Sequence, residues 1–225
     1  MTNQFKTVVS LVFAVIFISG CEIVVTDEHH HVPEEQPYSL DSVRAMESGD
    51  WYRFELEGYD SNGDLWDGTV TRIGQEPRWV EGVWVTPVMT KLKMTHLYSG
   101  AYVERTTTLY LDSRWHEVRL DFDNGVVCYP LISNDLPEQA YLGDYGDLGV
   151  MSCSDGREIE GVWDLSRYTE TSADFLSQTT IWDGNYAEHT TETTQTITRS
   201  GEVIGYELSL YLMEYDVSLW LSSWD

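Results

Sequence analysis

The sequence predicts an all-β protein, an antiparallel meander closed into a barrel, on three observations. Apolar and polar residues alternate with a period of two along most of the chain from Trp51 onward, the pattern of antiparallel strands with one buried face. Turn signals such as Asn-Gly and Asp-Gly fall between the alternating runs, and such pairs are the strongest short-range mark of a hairpin. No convincing long amphipathic helix interrupts the series.

The N-terminal element has a different grammar. Met1 to Lys6 is polar with one positive charge, and Thr7 to Ile18 is nearly all apolar. Twelve residues are too few to span a bilayer and suit the apolar region of a secretory signal. The run ends in Ile18-Ser19-Gly20-Cys21. This tetrad resembles the lipobox of bacterial lipoproteins: an aliphatic residue, two small residues and a cysteine. The resemblance covers the first 21 residues alone. It implies cleavage before Cys21, a diacylglycerol on its thiol and acylation of the new amino group. Residues 1–20 are then a signal peptide. Glu22, where Asp would mark inner-membrane retention, implies sorting to the outer membrane.

Residues 21–50 are expected to form the acylated N-terminus and a flexible tether. The stretch is polar, contains Pro33 and Pro37, and includes Asp27-Glu28-His29-His30-His31, a composition suited to a linker. Leu40 to Glu47 suggests about two turns of helix. The three histidines are read as incidental to the tether.

Residues 51–225 are expected to form one β domain. Tyr52, Phe54 and Leu56 alternate with Arg53, Glu55 and Glu57. His116, Val118, Leu120 and Phe122 alternate with Glu117, Arg119 and Asp121. Tyr206, Leu208, Leu210 and Leu212 form a third run, and Val217, Leu219 and Leu221 a fourth. Turns are expected at Ser61-Asn62-Gly63-Asp64, Asp123-Asn124-Gly125, Asp183-Gly184-Asn185 and Ser200-Gly201. Thr190 to Thr198 supplies β-branched residues that favour pleated surfaces. Ten to twelve short strands in about 175 residues fit a lipocalin-like barrel, with a two-sheet β-sandwich as the alternative. Short connections favour the meander, and closure removes edges. Glu81-Gly82-Val83-Trp84 recurs as Glu160-Gly161-Val162-Trp163, but no propeller or solenoid period emerges.

The chain of 225 residues has 38 acids against 13 Lys+Arg, a formal charge of −25. That charge opposes binding to a nucleic-acid backbone, which needs clustered cations. Anionic lipid would also repel the domain, so its membrane partner is reached through the acyl anchor. Beyond Cys21, Cys128 and Cys153 form an even remainder outside the cytoplasm and are expected to be bonded.

Asp60, Asn62 and Asp64 place oxygens at alternate positions, a sketch of a Ca²⁺ loop. The sixth and twelfth positions hold Leu65 and Thr71 instead of Gly and Glu, so a hairpin turn is the preferred reading and no metal or other cofactor is assigned. Asp121, Asp123 and Asn124 form a similar cluster. Trp66, Trp115 and Trp182 sit near turns and are candidates for ligand or partner contact. A catalytic triad would draw on His96, His116 or His189, but no Gly-x-Ser-x-Gly is present, nor a P-loop, dinucleotide fingerprint or HExxH. Catalytic residues are therefore not assigned, and the protein is not expected to be an enzyme. Three functions are weighed: a non-catalytic binding or structural module for an envelope protein or glycan, placed first; a carrier of a small apolar ligand; and an envelope hydrolase acting on glycans. A large cavity would favour the carrier and a filled core the module. A cleft with converging carboxylates and a strongly raised carboxyl pKa would favour the hydrolase.

Overall fold

The computed structural model describes residues 36–44, 46–212 and 217–223. The signal segment, Cys21, Glu22 and the His29–His31 run lie outside them. In chain order the elements are β1 (Tyr38–Ser39), α1 (Asp41–Arg44), β2 (Trp51–Asp60), β3 (Leu65–Gly74), β4 (Arg78–Val80), β5 (Val83–His96), β6 (Tyr102–Leu111), β7 (Glu117–Phe122), β8 (Val127–Ser133), β9 (Gln139–Ala140), β10 (Tyr145–Cys153), β11 (Glu158–Arg167), β12 (Ser172–Asp183), β13 (Tyr186–Thr198), β14 (Val203–Leu212) and β15 (Val217–Ser222). Twelve of the strands form one closed antiparallel barrel. Each barrel strand pairs with its neighbour in the chain, β4 folding back on β5 and β1 pairing with β9. The circle closes where β15 pairs with β2, Leu219 to Ser222 lying opposite Asp60 to Glu57. This is the expected meander, wider than the eight strands of a lipocalin.

The alternation orients the wall. On β2 Leu56 is buried while Arg53, Glu55 and Glu57 are exposed. On β11 Ile159, Trp163 and Leu165 are buried while Glu158 and Glu160 are exposed. On these two strands the charged side chains face out and the buried ones are apolar. The seam depends on Gly58: a Cβ there would meet the Trp220 carbonyl oxygen at 1.7 Å. Any side chain would push β15 away.

The two ends differ. At one end lie the β2–β3, β5–β6, β7–β8, β10–β11 and β12–β13 turns. The other end is covered by residues 36–44, 46 and 47, which corrects the expectation of a tether reaching Asp50. Tyr38, Leu40, Val43 and Met46 are buried there, and the first three join Trp163, Phe175 and Ile197 in one cluster. Backbone bonds fix the segment, Ser39 N–H to Arg199 at 3.0 Å and Leu40 N–H to Glu138 at 2.9 Å. The Arg199 guanidinium stacks 4.9 Å from the Tyr38 ring centroid. Four large apolar side chains with no period of two are not a solvated linker; each buries enough surface to hold the segment in place. The helix expected over two turns is a single turn, Asp41–Arg44.

Cys128 and Cys153 face each other across β8 and β10 and are bonded, as expected. They pack with Met151, Ile159 and Ile181 inside the wall. The β4–β5 hairpin lies against the outer wall. Arg119 ties Glu81 at 3.1 Å and Asp121 at 2.5 Å, and Arg78 donates to the Tyr110 hydroxyl at 3.1 Å.

Candidate functional site

The lumen holds two cavities. The upper one, a cup of about 540 Å³ near the β2–β3 and β12–β13 turns, is lined by Leu92, Met94, Val103, Phe122, Ile181, Leu208, Leu210 and Leu219 among others. Alternation puts these residues there: Leu92 and Met94 share one face of β5, Leu208 and Leu210 one face of β14. The lower one, about 320 Å³, is bordered by Tyr52, Arg72, Glu117, Ser177, Thr193 and Gln195. Thr107 lines both. The core is therefore not filled, and its polarity changes from apolar at the mouth to polar near the base.

Carboxylates outnumber cations at the mouth. Arg157 pairs with Asp155 at 2.6 Å and Glu188 at 2.8 Å, and these contacts, Asp155 first, hold its pKa above the ordinary value. Burial lowers the pKa of His189, which keeps the ring neutral. Asp60 shows competing effects. Burial pushes its carboxyl up, but the Trp66 indole, the backbone N–H groups of Asn62 and Asp64, and His96 together bring it below the ordinary value. Arg105 also lines the cup.

The expected Ca²⁺ set is rearranged. Asp60 and Asp64 meet, but with His96 as the third group, the three ligand atoms lying within 4.8 Å of one another. Asp60 is already occupied. Oδ1 accepts the N–H of Asn62 at 2.8 Å and of Asp64 at 3.2 Å, and Oδ2 accepts the Trp66 indole N–H at 3.2 Å. These bonds build the β2–β3 turn, where Gly63 adopts φ +83°, a conformation open to glycine. The similar cluster also serves a turn, the Asp123 carboxylate accepting the Thr106 N–H at 3.0 Å.

His96 sits between Asp64 (3.3 Å) and the Ser99 hydroxyl (2.9 Å), which gives the outline of a triad. Its Nδ1 already accepts the Ser99 backbone N–H at 3.0 Å, so no lone pair remains to activate the hydroxyl. His116 is held at both ring nitrogens, by Asp135 at 2.8 Å and Asp112 at 3.4 Å. Both arrangements close turns.

Of the three tryptophans, Trp66 is half-buried and lines the cup, its ring edge-on to His96 at 4.9 Å. Trp115 packs at the base against Met46, Val88 and Leu111. Trp182 is half-buried, and its indole nitrogen is buried without a partner. The tryptophans exposed on the outer surface are Trp51, Trp79, Trp84 and Trp220. Of the three candidates, then, Trp66 alone borders the cup.

Glu117 was legible only as a surface residue, alternating with His116 and Val118. A bulge between Tyr110 and Leu111 sets Glu117 opposite Leu111 and turns its carboxyl to the lower cavity. A one-residue shift of register exchanges the two faces of a strand. Among the described residues the carboxyl has no hydrogen-bond or ion-pair partner, and burial pushes its pKa up to about 7.

No family model matches the chain, and no curated protein matches. A candidate lipoprotein of Parabacteroides distasonis with a solved structure is similar at 11% identity and TM-score 0.33, over 82% of this chain and 96% of that one. Similarity at that level carries no argument about function.

Proposed function

We propose that this protein is a lipid-anchored carrier of the bacterial envelope that takes a small apolar molecule into the open cup. The single observation behind the reading is the apolar cavity of about 540 Å³, within the range of small-molecule sites. A module that acted only through its outer surface would have no use for such a void, since unfilled apolar volume costs stability. The ligand's apolar surface gives the driving force, about 0.8 kcal/mol for each buried CH₂. The Ile18–Cys21 tetrad supports an acyl anchor, Glu22 supports sorting to the outer membrane, and residues 22–35 are long enough to act as a short tether. The protein binds and does not turn over its ligand.

Two experiments test this reading. A clickable fatty acid fed to cells should label the native chain and leave Cys21→Ser unlabelled; equal labelling of both would remove the anchor. A dye that brightens in apolar surroundings should enter the purified protein, and Leu210→Trp, which fills the cup, should abolish the signal. Undiminished dye uptake in that variant would refute the carrier.

Glu117 supports one other reading. A carboxyl protonated near neutral pH can act as a general acid, and Asp135 borders the same chamber. Turnover of a glycan substrate, lost in Glu117→Gln, would establish the hydrolase instead.

A further inference from the structure

We propose that the cup is built for a single-chain amphiphile with one carboxylate head, and that Arg105 holds that head. The inference rests on the carrier reading and adds the chemical class of its ligand.

Arg105 stands on the lumen face of β6. Val103 and Thr107, two residues away on either side, line the same cup, and its cross-strand partner on β5 is Leu92. Arg105 is itself exposed, so its guanidinium stands in water beside the apolar lining of the cup while the cup is empty. The chain has 38 carboxylates for 13 Lys+Arg, so counter-charges are plentiful. The carboxylates nearest its neighbours are engaged elsewhere: Lys91 and Lys93 pair with Glu104, Arg119 with Asp121, and Arg157 with Asp155 and Glu188. Arg105 forms no ion pair among the described residues. One guanidinium N–H donates to the Glu104 carbonyl at 3.2 Å, which leaves most of its five donors for other partners.

The other ionised groups at the mouth narrow the choice of head. Asp60 is anionic with its oxygens already occupied, and Arg157 is outnumbered by its two carboxylates. A cationic head would be drawn to the negative rim but would find the Asp60 oxygens already occupied and would meet Arg105. A dianionic head would face the excess negative charge of the rim with one unpaired cation to offset it. A single carboxylate matches one guanidinium, which it can engage with two parallel hydrogen bonds. Its chain would then lie along Leu92, Met94, Phe122 and Leu210.

The test uses the full chain carrying Cys21→Ser, so that no attached acyl chain competes for the cup. Laurate, dodecanol and dodecyltrimethylammonium are titrated at pH 8 by calorimetry and by the fluorescence of Trp66, which borders the cavity. Laurate is expected to bind about tenfold or more tighter than dodecanol, with the ammonium weakest. Arg105→Gln should lower laurate affinity about tenfold and leave dodecanol within about twofold of its original affinity. Equal affinity for laurate and dodecanol, strongest binding of the ammonium, or no effect of Arg105→Gln on laurate would each overturn the assignment of the head while leaving the carrier intact. Absence of binding by all three would overturn both.

Discussion

Replacing Glu117 with glutamine isolates the cost of holding an acid in the lower chamber. Burial raises the carboxyl from an ordinary 4.5 to about 7 in the folded chain. Below pH 4.5 the group is protonated in both states and contributes no difference. As pH rises, the unfolded chain ionises first while the folded chain keeps its proton. The folded state therefore binds more protons in that interval, and stability falls with pH until the folded group also ionises. At about 1.36 kcal/mol per unit, the loss is about 3 kcal/mol above pH 7. Glutamine keeps the shape and carries no charge, so the variant should lack this loss. Urea unfolding of both proteins at pH 4.5 and pH 8 measures the effect. The stability of Glu117→Gln relative to wild type should rise by about 2–3 kcal/mol between those two values. Comparing the two proteins cancels the general repulsion of a chain at −25. A difference that does not change with pH would mean that the carboxyl is solvated and that the bulge does not turn it inward.

Gly58→Val should prevent closure, because a Cβ would lie 1.7 Å from the Trp220 carbonyl oxygen; size-exclusion chromatography should show dimers or larger species, and a monomer of native stability would contradict the seam. Leu40→Ala should cost about 2–5 kcal/mol in denaturant unfolding, as for other fully buried leucines, whereas a loss near zero would show that residues 36–47 are not part of the core. Replacing Cys128 and Cys153 together by serine should lower stability by roughly 3 kcal/mol, the chain-entropy value for a loop of this size, given their separation of 25 residues. An unchanged transition under reducing conditions would show the bond to be energetically idle.

The hairpins were legible because their turn residues have few alternatives. Asn124-Gly125 has little choice but to bend, with Gly125 at φ +87°, and the flanking alternation then decides which side faces in. The barrel was legible because every run was followed closely by another, leaving no room for crossovers. Three features were not readable. The bulge at Val118, just after Glu117, leaves no local mark, so strict alternation put the wrong side of that residue inward. The closing segment at Tyr38–Met46 has no strand or helix period, because its side chains fit an opening whose shape is set by strands far along the chain. Arg105 looks like any other outward charge until its register with Leu92 is known. The tetrapeptide Glu-Gly-Val-Trp shows the same limit directly. At Glu81–Trp84 it turns a hairpin and leaves Trp84 exposed; at Glu160–Trp163 it runs through β11 and buries Trp163.

The seam between β15 and β2 has a consequence for how the chain folds. Every other barrel contact joins strands that are neighbours in sequence or separated by one short element, so each hairpin can form on its neighbour's template without a large search. Closure instead joins residues 57–60 to residues 219–222, almost the whole length of the domain. The entropy of closing a loop grows only as the logarithm of its length, but this contact has the longest separation in the sheet. Until it forms, β2 and β15 are both open edges, and the β2 edge of one molecule is complementary to the β15 edge of another. The same register that closes one barrel could therefore join two chains end to end into a larger ring. Gly58 lies at that junction and is needed for either pairing, and protein concentration during refolding sets how often the second one is tried.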